Sequence, residues 1–170
     1  MAKTKKNVTY TKAWYAVAVA RIAVGFVFLW AFFDKLLGLG FATAAEKAWI
    51  NGGSPTAGFL KMGVNPESPF ASFFNGLAGN ALVDWLFMIG LLGIGAALVL
   101  GIGLRIAAVT GSLLLVLMWA ALLPLENNPV VDDHIVYAVM LWVFALGNRK
   151  WSLFDQWVAE PYVKKNPWLW

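Results

Sequence analysis

A long apolar segment near the start of the chain sets the architecture, and residues 14–36 read WYAVAVARIAVGFVFLWAFFDKL. Arg21 is its only charged residue before Asp34 and Lys35. About 20 helical residues cross a hydrocarbon core roughly 30 Å thick, so the segment is long enough to span a membrane. We therefore predict a transmembrane helix over residues 13–35, which ends where charge returns.

Arg21 is the unusual residue of this span. A charged side chain near the middle of a transmembrane helix costs about 2.5–3.5 kcal/mol on insertion scales. Along a helix, Arg21 lies about 10 Å inside Trp14, which is near the reach of a stretched arginine. Two interpretations are open at this point. Either the side chain extends to the membrane interface, or it is buried against protein in a pairing or functional role.

The composition indicates an integral membrane protein with several spans. The 170 residues are 61% hydrophobic and 13% charged, whereas soluble domains are roughly 45–50% apolar. The segment before the first span is polar and basic, and the span is longer than the apolar part of a signal peptide. We therefore expect this helix to remain as an anchor of a single membrane domain.

The residue types that are missing exclude several kinds of redox site. The chain has no cysteine, which excludes a dithiol relay, iron–sulfur ligation, thiolate metal sites and covalent haem attachment. A single histidine excludes bis-histidine haem within one chain. No diagnostic ligand spacing is present, so we predict neither metal nor haem. The net charge of +4 is carried by the terminal segments, which we expect to contact membrane lipids and not nucleic acid.

Three further spans are predicted over residues 81–101, 105–124 and 131–148. The expected fold is an all-α integral membrane protein, a bundle of four transmembrane helices. Residues 38–80 are too polar and too rich in Gly and Pro to cross, so we expect a long extracytoplasmic loop. Residues 151–170 mix tryptophans with lysines, and this amphipathic tail is expected to lie on the membrane surface.

Local patterns add detail to this arrangement. In the loop, Ser54-Pro55 and Ser68-Pro69 each place a helix-capping serine before a proline suited to the first helical position, which predicts short helices. Small residues recur every four positions on the second and third spans, a spacing that permits close helix approach. They are Gly93, Ala97 and Gly101, then Ala107 and Gly111.

Lysine and arginine are concentrated on one side of the predicted bundle. The distribution places both termini in the cytoplasm, and we expect a cell (plasma) membrane location. The cytoplasmic side then carries Lys3, Lys5, Lys6, Lys12, Arg105, Arg149, Lys150, Lys164 and Lys165, and the outer side carries Lys35, Lys47 and Lys61.

Polar residues from separate parts of the chain should meet at the outer end of an antiparallel bundle. They are Asp34 and Lys35, then Asp84, then Glu126, Asn127, Asn128, Asp132, Asp133 and His134. Histidine is the residue type whose ordinary pKa lies near the physiological range, so with the two neighbouring aspartates His134 could exchange protons with a membrane-soluble redox carrier. Alternatively, the aspartates cap a helix N-terminus and His134 is a hydrogen-bonded interfacial residue. Trp30 could line a cavity for a flat ring or anchor the helix at the interface.

The chain resembles the DoxX/DoxD family of small four-helix membrane proteins from about residue 18 to residue 155. The motifs that carry the resemblance are Arg21-x3-Gly25 with Asp34-Lys35-Leu36, the turn Gly101-x-Gly103-x-Arg105, and Asn128-Pro129-x-x-Asp132-Asp133-His134. The resemblance implies a subunit of a thiosulfate:quinone oxidoreductase, which passes electrons from thiosulfate to a membrane quinone as tetrathionate forms. The chain departs from the family in having no segment that corresponds to the small soluble DoxA-like partner. Complete thiosulfate oxidation would therefore need a partner protein, or the role of this chain differs.

The leading hypothesis is a membrane subunit of a quinone-linked oxidoreductase, with quinone as its cofactor. The residues expected to handle protons are His134, Asp132 and Asp133, and those expected to bind the quinone are Arg21, Lys35, Asp34, Trp30 and Glu126. The alternative is a non-catalytic integral subunit that anchors or stabilises a larger respiratory or redox complex. Under either hypothesis we expect a partner subunit or a homo-oligomer. A small-molecule transporter has less support, because the chain shows neither inverted halves nor a broken helix.

Overall fold

The computed structural model describes residues 12–147 and 150–170, and the regular elements in these ranges are all helical. Three helices are long and apolar enough to cross a membrane: α1 (Lys12–Leu37), α3 (Ala81–Leu100) and α4 (Leu104–Leu122). The prediction of an all-helical fold is thus confirmed, and the three long apolar helices are compatible with a membrane protein.

The predicted fourth span corresponds to α5 (Asp133–Gly147), an apolar helix of 15 residues. It is shorter than the roughly 20 residues of a typical crossing, so a fourth span stays a prediction. The basic residues Lys3, Lys5, Lys6 and Arg149, on which the predicted orientation partly depends, lie outside the described residues.

The long helices pack as antiparallel neighbours around a shared apolar core. Glycines set the closest approach of α1 and α3, because a Cβ atom at Gly25 would lie 2.9 Å from Leu98 Cβ, and one at Gly95 would lie 2.9 Å from the main-chain nitrogen of Leu29. On α4, Gly111 likewise admits the side chain of Leu141 from α5. The core between the helices includes Phe28, Met88, Ile94, Leu98, Leu115, Leu141 and Phe144.

The expected role of Gly93 as a packing residue is wrong within the described chain. Gly93 is exposed, and a Cβ atom there would meet nothing within 4 Å. Gly95 takes that role on α3, and two residues along a helix correspond to a rotation of about 200°, which places it on the opposite face. Ala97 packs against the core, and Gly111 on α4 contacts Leu141, so the four-residue spacing predicted packing positions correctly there but not at Gly93.

The segment between α1 and α3 contains single helical turns and one short α-helix. Its elements are the turns Ala45–Lys47, Trp49–Asn51 and Phe59–Gly63, followed by α2 (Ala71–Gly76). Both predicted capping serines accept local hydrogen bonds, Ser54 from the N–H of Ala57 at 3.2 Å and Ser68 from the N–H of Phe70 at 3.2 Å.

This segment also covers the C-terminal end of α4. The main-chain N–H of Asn65 donates to Ala121 O at 3.0 Å, and the Ser68 hydroxyl donates to Ala120 O at 3.1 Å. Carbonyl groups in the last turn of a helix have no partner within the helix, so these donors satisfy groups that α4 leaves open. These hydrogen bonds fix part of a loop rich in Gly and Pro against the end of α4.

The tail forms α6 (Phe154–Ala159), α7 (Pro161–Lys165) and a final turn, Pro167–Leu169. It folds back onto the α3–α4 connection, where the N–H of Arg105 donates to Trp170 O at 3.0 Å. The Arg105 guanidinium donates to Pro167 O at 3.1 Å. The tail therefore binds the start of α4, and its predicted contact with the membrane surface stays a prediction.

Candidate functional site

The antiparallel packing gives the bundle two chemically different ends. We call the end that carries Asp34, Asp84 and Asp132 the acidic end, and the end that carries Arg21 and Arg105 the basic end. The C-termini of α1 and α4 and the N-termini of α3 and α5 lie at the acidic end. The sequence led us to expect these polar residues at one end.

The larger cavity at the acidic end has a volume of about 660 Å³ and lies between the loop and the α4–α5 connection. We call it the α4–α5 cavity. Its apolar wall includes Met62, Val64, Leu122, Leu125 and Val131, and its polar wall includes Asn65, Glu126, Asn127, Asn128, Asp132 and Asp133. Of the eight predicted site residues, Glu126, Asp132 and Asp133 line this cavity.

Asp132 uses its two carboxylate oxygens for different purposes. Oδ1 accepts the N–H of Ile135 at 3.2 Å, which caps the first turn of α5, and Oδ2 lies 2.8 Å from His134 Nδ1. The capping and the pairing interpretations of the sequence therefore both apply to this residue. Burial alone would raise the pKa of the Asp132 carboxyl, but the hydrogen bonds with His134 and Ile135 hold that pKa below its usual value.

Asp133 and His134 complete a compact group with Asp132. Asp133 Oδ1 lies 3.4 Å from His134 Nδ1, and the Asp133 side chain is 74% exposed, whereas that of His134 is 14% exposed. One ligand atom from each of the three residues lies within 4.8 Å of the others. This spacing would allow one cation to be shared, so the prediction of no metal stays a prediction.

Asp34 and Trp30 hold the beginning of the loop and do not line the α4–α5 cavity. The Asp34 side chain is buried and accepts the main-chain N–H groups of Phe41 at 3.2 Å and Ala42 at 3.0 Å. The Trp30 ring packs edge-on against Phe41, with ring centroids 5.0 Å apart. Lys35, the neighbour of Asp34, is half-buried and also outside the cavity wall.

Arg21 is buried at the basic end, which decides between the two interpretations of the sequence. Its exposed fraction is 0%, so the side chain is buried against protein and does not contact solvent or lipid. It donates to the main-chain oxygens of Leu98 and Val99 in the last turn of α3, and to those of Lys150 and Trp151 after α5. Because last-turn carbonyls are electron-rich and lack partners, a guanidinium suits this position.

Arg21 is not brought together with the Asp132–His134 pair. It lies about 20 Å from Asp34 along α1, at a rise of roughly 1.5 Å per residue. Its Nε atom has no hydrogen-bond partner among the described residues. Its observed contacts join α1, the end of α3 and the segment after α5 at the basic end.

A second arrangement at the acidic end was missed by the sequence analysis, which noted Asp84 only as one of several acids. Asp84 Oδ1 accepts hydrogen bonds from the hydroxyls of Ser54 at 2.9 Å and Thr56 at 2.5 Å, and from the Thr56 N–H at 3.2 Å. Beside it is a cavity of about 290 Å³, which Trp49 and Trp85 also line. Only the adjacency of Asp84 and Trp85 hinted at it in the sequence.

No family model, curated protein or solved structure matches the chain. The resemblance to the DoxX/DoxD family therefore stays a prediction from the sequence motifs.

Proposed function

We propose that this protein is the membrane subunit of a quinone-linked oxidoreductase and that the α4–α5 cavity receives the quinone head group. The observation that carries the proposal is the Asp132–His134 hydrogen bond of 2.8 Å at a cavity of about 660 Å³ that Asp132 lines. A carboxylate paired with an imidazole beside a cavity is suited to proton exchange with an occupant.

The lining of the cavity fits a quinone in size and in chemistry. Ligand pockets commonly measure about 300–1,000 Å³, with mainly apolar walls and a few placed polar groups. Apolar side chains such as Met62, Leu122 and Leu125 would contact the ring, and Asp132 and Asp133 lie on the polar wall. A bound quinone would supply two-electron, two-proton redox chemistry.

Asp132, His134 and Asp133 would have different roles in proton transfer. Asp132 Oδ2 would pass a proton between the cavity and His134 Nδ1, over the observed distance of 2.8 Å. Asp133, which is 74% exposed, would connect His134 Nδ1 to solvent across 3.4 Å. Glu126 would add a second exposed carboxylate to the cavity wall.

In this proposal the other predicted residues act by positioning. Asp34 and Trp30 hold the loop that reaches the cavity, and Lys35 stands beside Asp34. Arg21 joins the helix ends at the basic end and does not touch the head group.

The chain has no cysteine and so no thiol redox centre, and in this proposal the electrons reach the quinone through another protein. The sequence motifs favour thiosulfate as the donor and a soluble partner subunit as its site of oxidation. We also propose that α5 forms a fourth span, with both termini in the cytoplasm, which would place the α4–α5 cavity at the outer face of the plasma membrane.

Thiosulfate-dependent reduction of decylubiquinone by the native complex in membranes tests this function. We expect Asp132→Asn and His134→Ala to lower the rate of quinol formation at least tenfold, because general acid–base catalysis commonly contributes about 100- to 10,000-fold. Glu67→Gln removes an exposed carboxylate outside the cavity wall and should leave the rate unchanged. Unchanged rates in folded Asp132→Asn and His134→Ala proteins would show that the site is assigned wrongly.

A second candidate function, a non-catalytic subunit that anchors a larger complex, has its own observation. Gly90 and Gly93 lie on α3 where an added Cβ would meet nothing within 4 Å, so the backbone of a partner helix could approach closely there. Gly93→Leu should release a stoichiometric partner during purification in mild detergent. Val109→Leu, on an exposed face of α4, should retain it. Retention of the partner by Gly93→Leu would contradict this role.

A further inference from the structure

The second cavity, which we call the Asp84 cavity, lies apart from the α4–α5 cavity and contains a buried carboxylate. Asp84 lies in the first turn of α3 and is only 6% exposed. All three hydrogen bonds that it accepts from described residues fall on Oδ1. Oδ2 is therefore the oxygen that remains for an occupant of the cavity that Asp84 lines.

The negative charge of Asp84 has no cationic partner in the described part of the chain. No lysine, arginine or histidine there lies within 4.0 Å of its carboxylate. The N-terminus of α3 supplies only a partial positive charge. Buried charges in proteins are normally paired, so a cation in the cavity would complete this arrangement.

Two tryptophans give the Asp84 cavity a preference among cations. The rings of Trp49 and Trp85 lie edge to face, with centroids 4.6 Å apart and planes at 73°, and both residues line the cavity. The face of an indole ring attracts a cation, and quaternary ammonium groups are commonly recognised by aromatic side chains in this way. A small inorganic ion that keeps its water shell gains less from such a surface.

The volume limits the size of the occupant. About 290 Å³ is just below the range of roughly 300–1,000 Å³ for pockets that take drug-sized ligands. The cavity therefore suits a small head group. Its position also matters, because Trp85 is 56% exposed just after the first turn of a helix long enough to span a membrane. Tryptophans near the ends of such helices are commonly at the level of the lipid head groups, which soluble ions also reach.

We propose that the Asp84 cavity binds an alkylammonium group, either as a free organic cation or as the head group of a phospholipid. Asp84 Oδ2 pairs with the charge, and Trp49 and Trp85 contact the alkyl substituents on nitrogen. This site does not depend on the quinone function proposed for the α4–α5 cavity.

Calorimetric titration of the full-length protein in dodecyl maltoside, whose head group is uncharged, tests the proposal with tetramethylammonium and choline as probes. We expect saturable binding at one site per chain. The compound 3,3-dimethylbutanol, which keeps the shape of choline without its charge, should bind at least tenfold more weakly. K⁺ should also bind at least tenfold more weakly than tetramethylammonium.

Three variants link the binding to this cavity. Asp84→Asn keeps the size of the side chain and an acceptor for Ser54 and Thr56, and should weaken tetramethylammonium binding at least tenfold. Trp85→Leu, at an exposed position that the fold tolerates more easily, should weaken it at least threefold. Glu67→Gln makes the same change of charge outside the cavity and should bind like the wild type.

The source of the ammonium group is decided in nanodiscs of phosphatidylglycerol with increasing fractions of phosphatidylcholine. If a lipid head group occupies the site, the apparent affinity for tetramethylammonium falls as phosphatidylcholine increases. If only free cations enter, the affinity is independent of the lipid. The proposal is overturned by the absence of saturable binding to the folded wild type, by K⁺ binding as tightly as tetramethylammonium, or by unchanged binding in both Asp84→Asn and Trp85→Leu.

Discussion

The guanidinium of Arg21 donates a hydrogen bond of 2.7 Å to the main-chain oxygen of Trp151, a residue 130 positions later in the chain. The same side chain donates to two carbonyls at the end of α3. One arginine thus joins α1, α3 and the segment after α5 at the basic end. Among the described residues, the Arg21 guanidinium donates hydrogen bonds only to main-chain oxygens. These oxygens stabilise a positive charge that is costly inside a membrane span.

Removal of this side chain should destabilise the fold. Buried acceptors that lose their donor cost roughly 1–3 kcal/mol each, so we expect Arg21→Ala to lower the free energy of unfolding by at least about 2 kcal/mol. The measurement is reversible unfolding in mixed micelles. Arg105→Ala is the matched control, because Arg105 is exposed and its guanidinium donates to one carbonyl, that of Pro167. An equal loss in both variants would contradict the special role of Arg21.

Two glycines of α3 should respond differently to the same substitution. A Cβ at Gly95 would lie 2.9 Å from the main-chain nitrogen of Leu29, whereas one at Gly93 would meet nothing within 4 Å. Overpacking typically costs about 1–3 kcal/mol, so Gly95→Ala should lower the free energy of unfolding by that amount. Gly93→Ala should leave it unchanged or raise it slightly. Thermal unfolding of the two variants in one detergent makes the comparison, and equal effects would contradict the packing of α1 against α3.

The Asp132–His134 pair predicts a dependence of stability on pH. Because the pKa of Asp132 is held below its usual value in the folded protein, its ionised form favours the folded state. This contribution is fully present above the unfolded pKa of about 3.9 and is lost as the pH falls through the folded pKa. The difference in stability between wild type and Asp132→Asn, measured by thermal unfolding, should therefore shrink as the pH falls below about 4.

The contribution of His134 to the lowered pKa of Asp132 can be tested separately. In His134→Ala the hydrogen bond to Asp132 Oδ2 is absent, so the pKa of Asp132 should rise. Carbon-13 NMR of labelled aspartate carboxyl groups follows the titration, with the signal of Asp132 assigned by its loss in Asp132→Asn. An Asp132 titration that is the same in wild type and His134→Ala would show that His134 does not lower this pKa.

The cover over the end of α4 should depend on Asn65. Its side chain donates to Pro124 O at 2.8 Å and accepts the N–H of Glu67 at 2.9 Å. Asn65→Ala should lower the free energy of unfolding by about 1 kcal/mol, the usual contribution of such hydrogen bonds, and speed amide exchange in residues 64–70. Asn51→Ala, which removes an exposed hydrogen bond to Ala45 O, is the control and should leave exchange in that segment unchanged.

The bounds of the long helices could be predicted closely from the sequence. The first predicted span, 13–35, corresponds to Lys12–Leu37, and the second, 81–101, corresponds to Ala81–Leu100. Sustained apolar runs bounded by charge or glycine are local signals, and local signals can be read without knowing what a residue contacts. The same holds for the polar residues of the acidic end, because antiparallel connection alone brings alternate helix ends together.

The partners of Arg21 and Asp84 could not be predicted in the same way. Those of Arg21 are main-chain carbonyls 77 to 130 positions away, and every residue type carries such a carbonyl, so no sequence pattern marks them. Asp84 accepts hydrogen bonds from Ser54 and Thr56. Both of these residues lie in a loop whose path depends on the packing of its own turns. Gly93 and Gly95 are the same residue type, so the sequence does not distinguish them. Only the rotation of α3 about its axis decides which of them contacts α1.

By itself, the order of residues determined that the chain is helical with long apolar segments, and that Asp34, Asp84 and Asp132 lie at one end, because hydrophobic length and charge placement act locally along the chain. Only the tertiary structure decided that Arg21 is buried at the end away from Asp132 and that a carboxylate and two tryptophans share a cavity. Those relationships depend on helix rotation and on main-chain groups, which are the same for nearly every residue type and so leave no mark in the sequence.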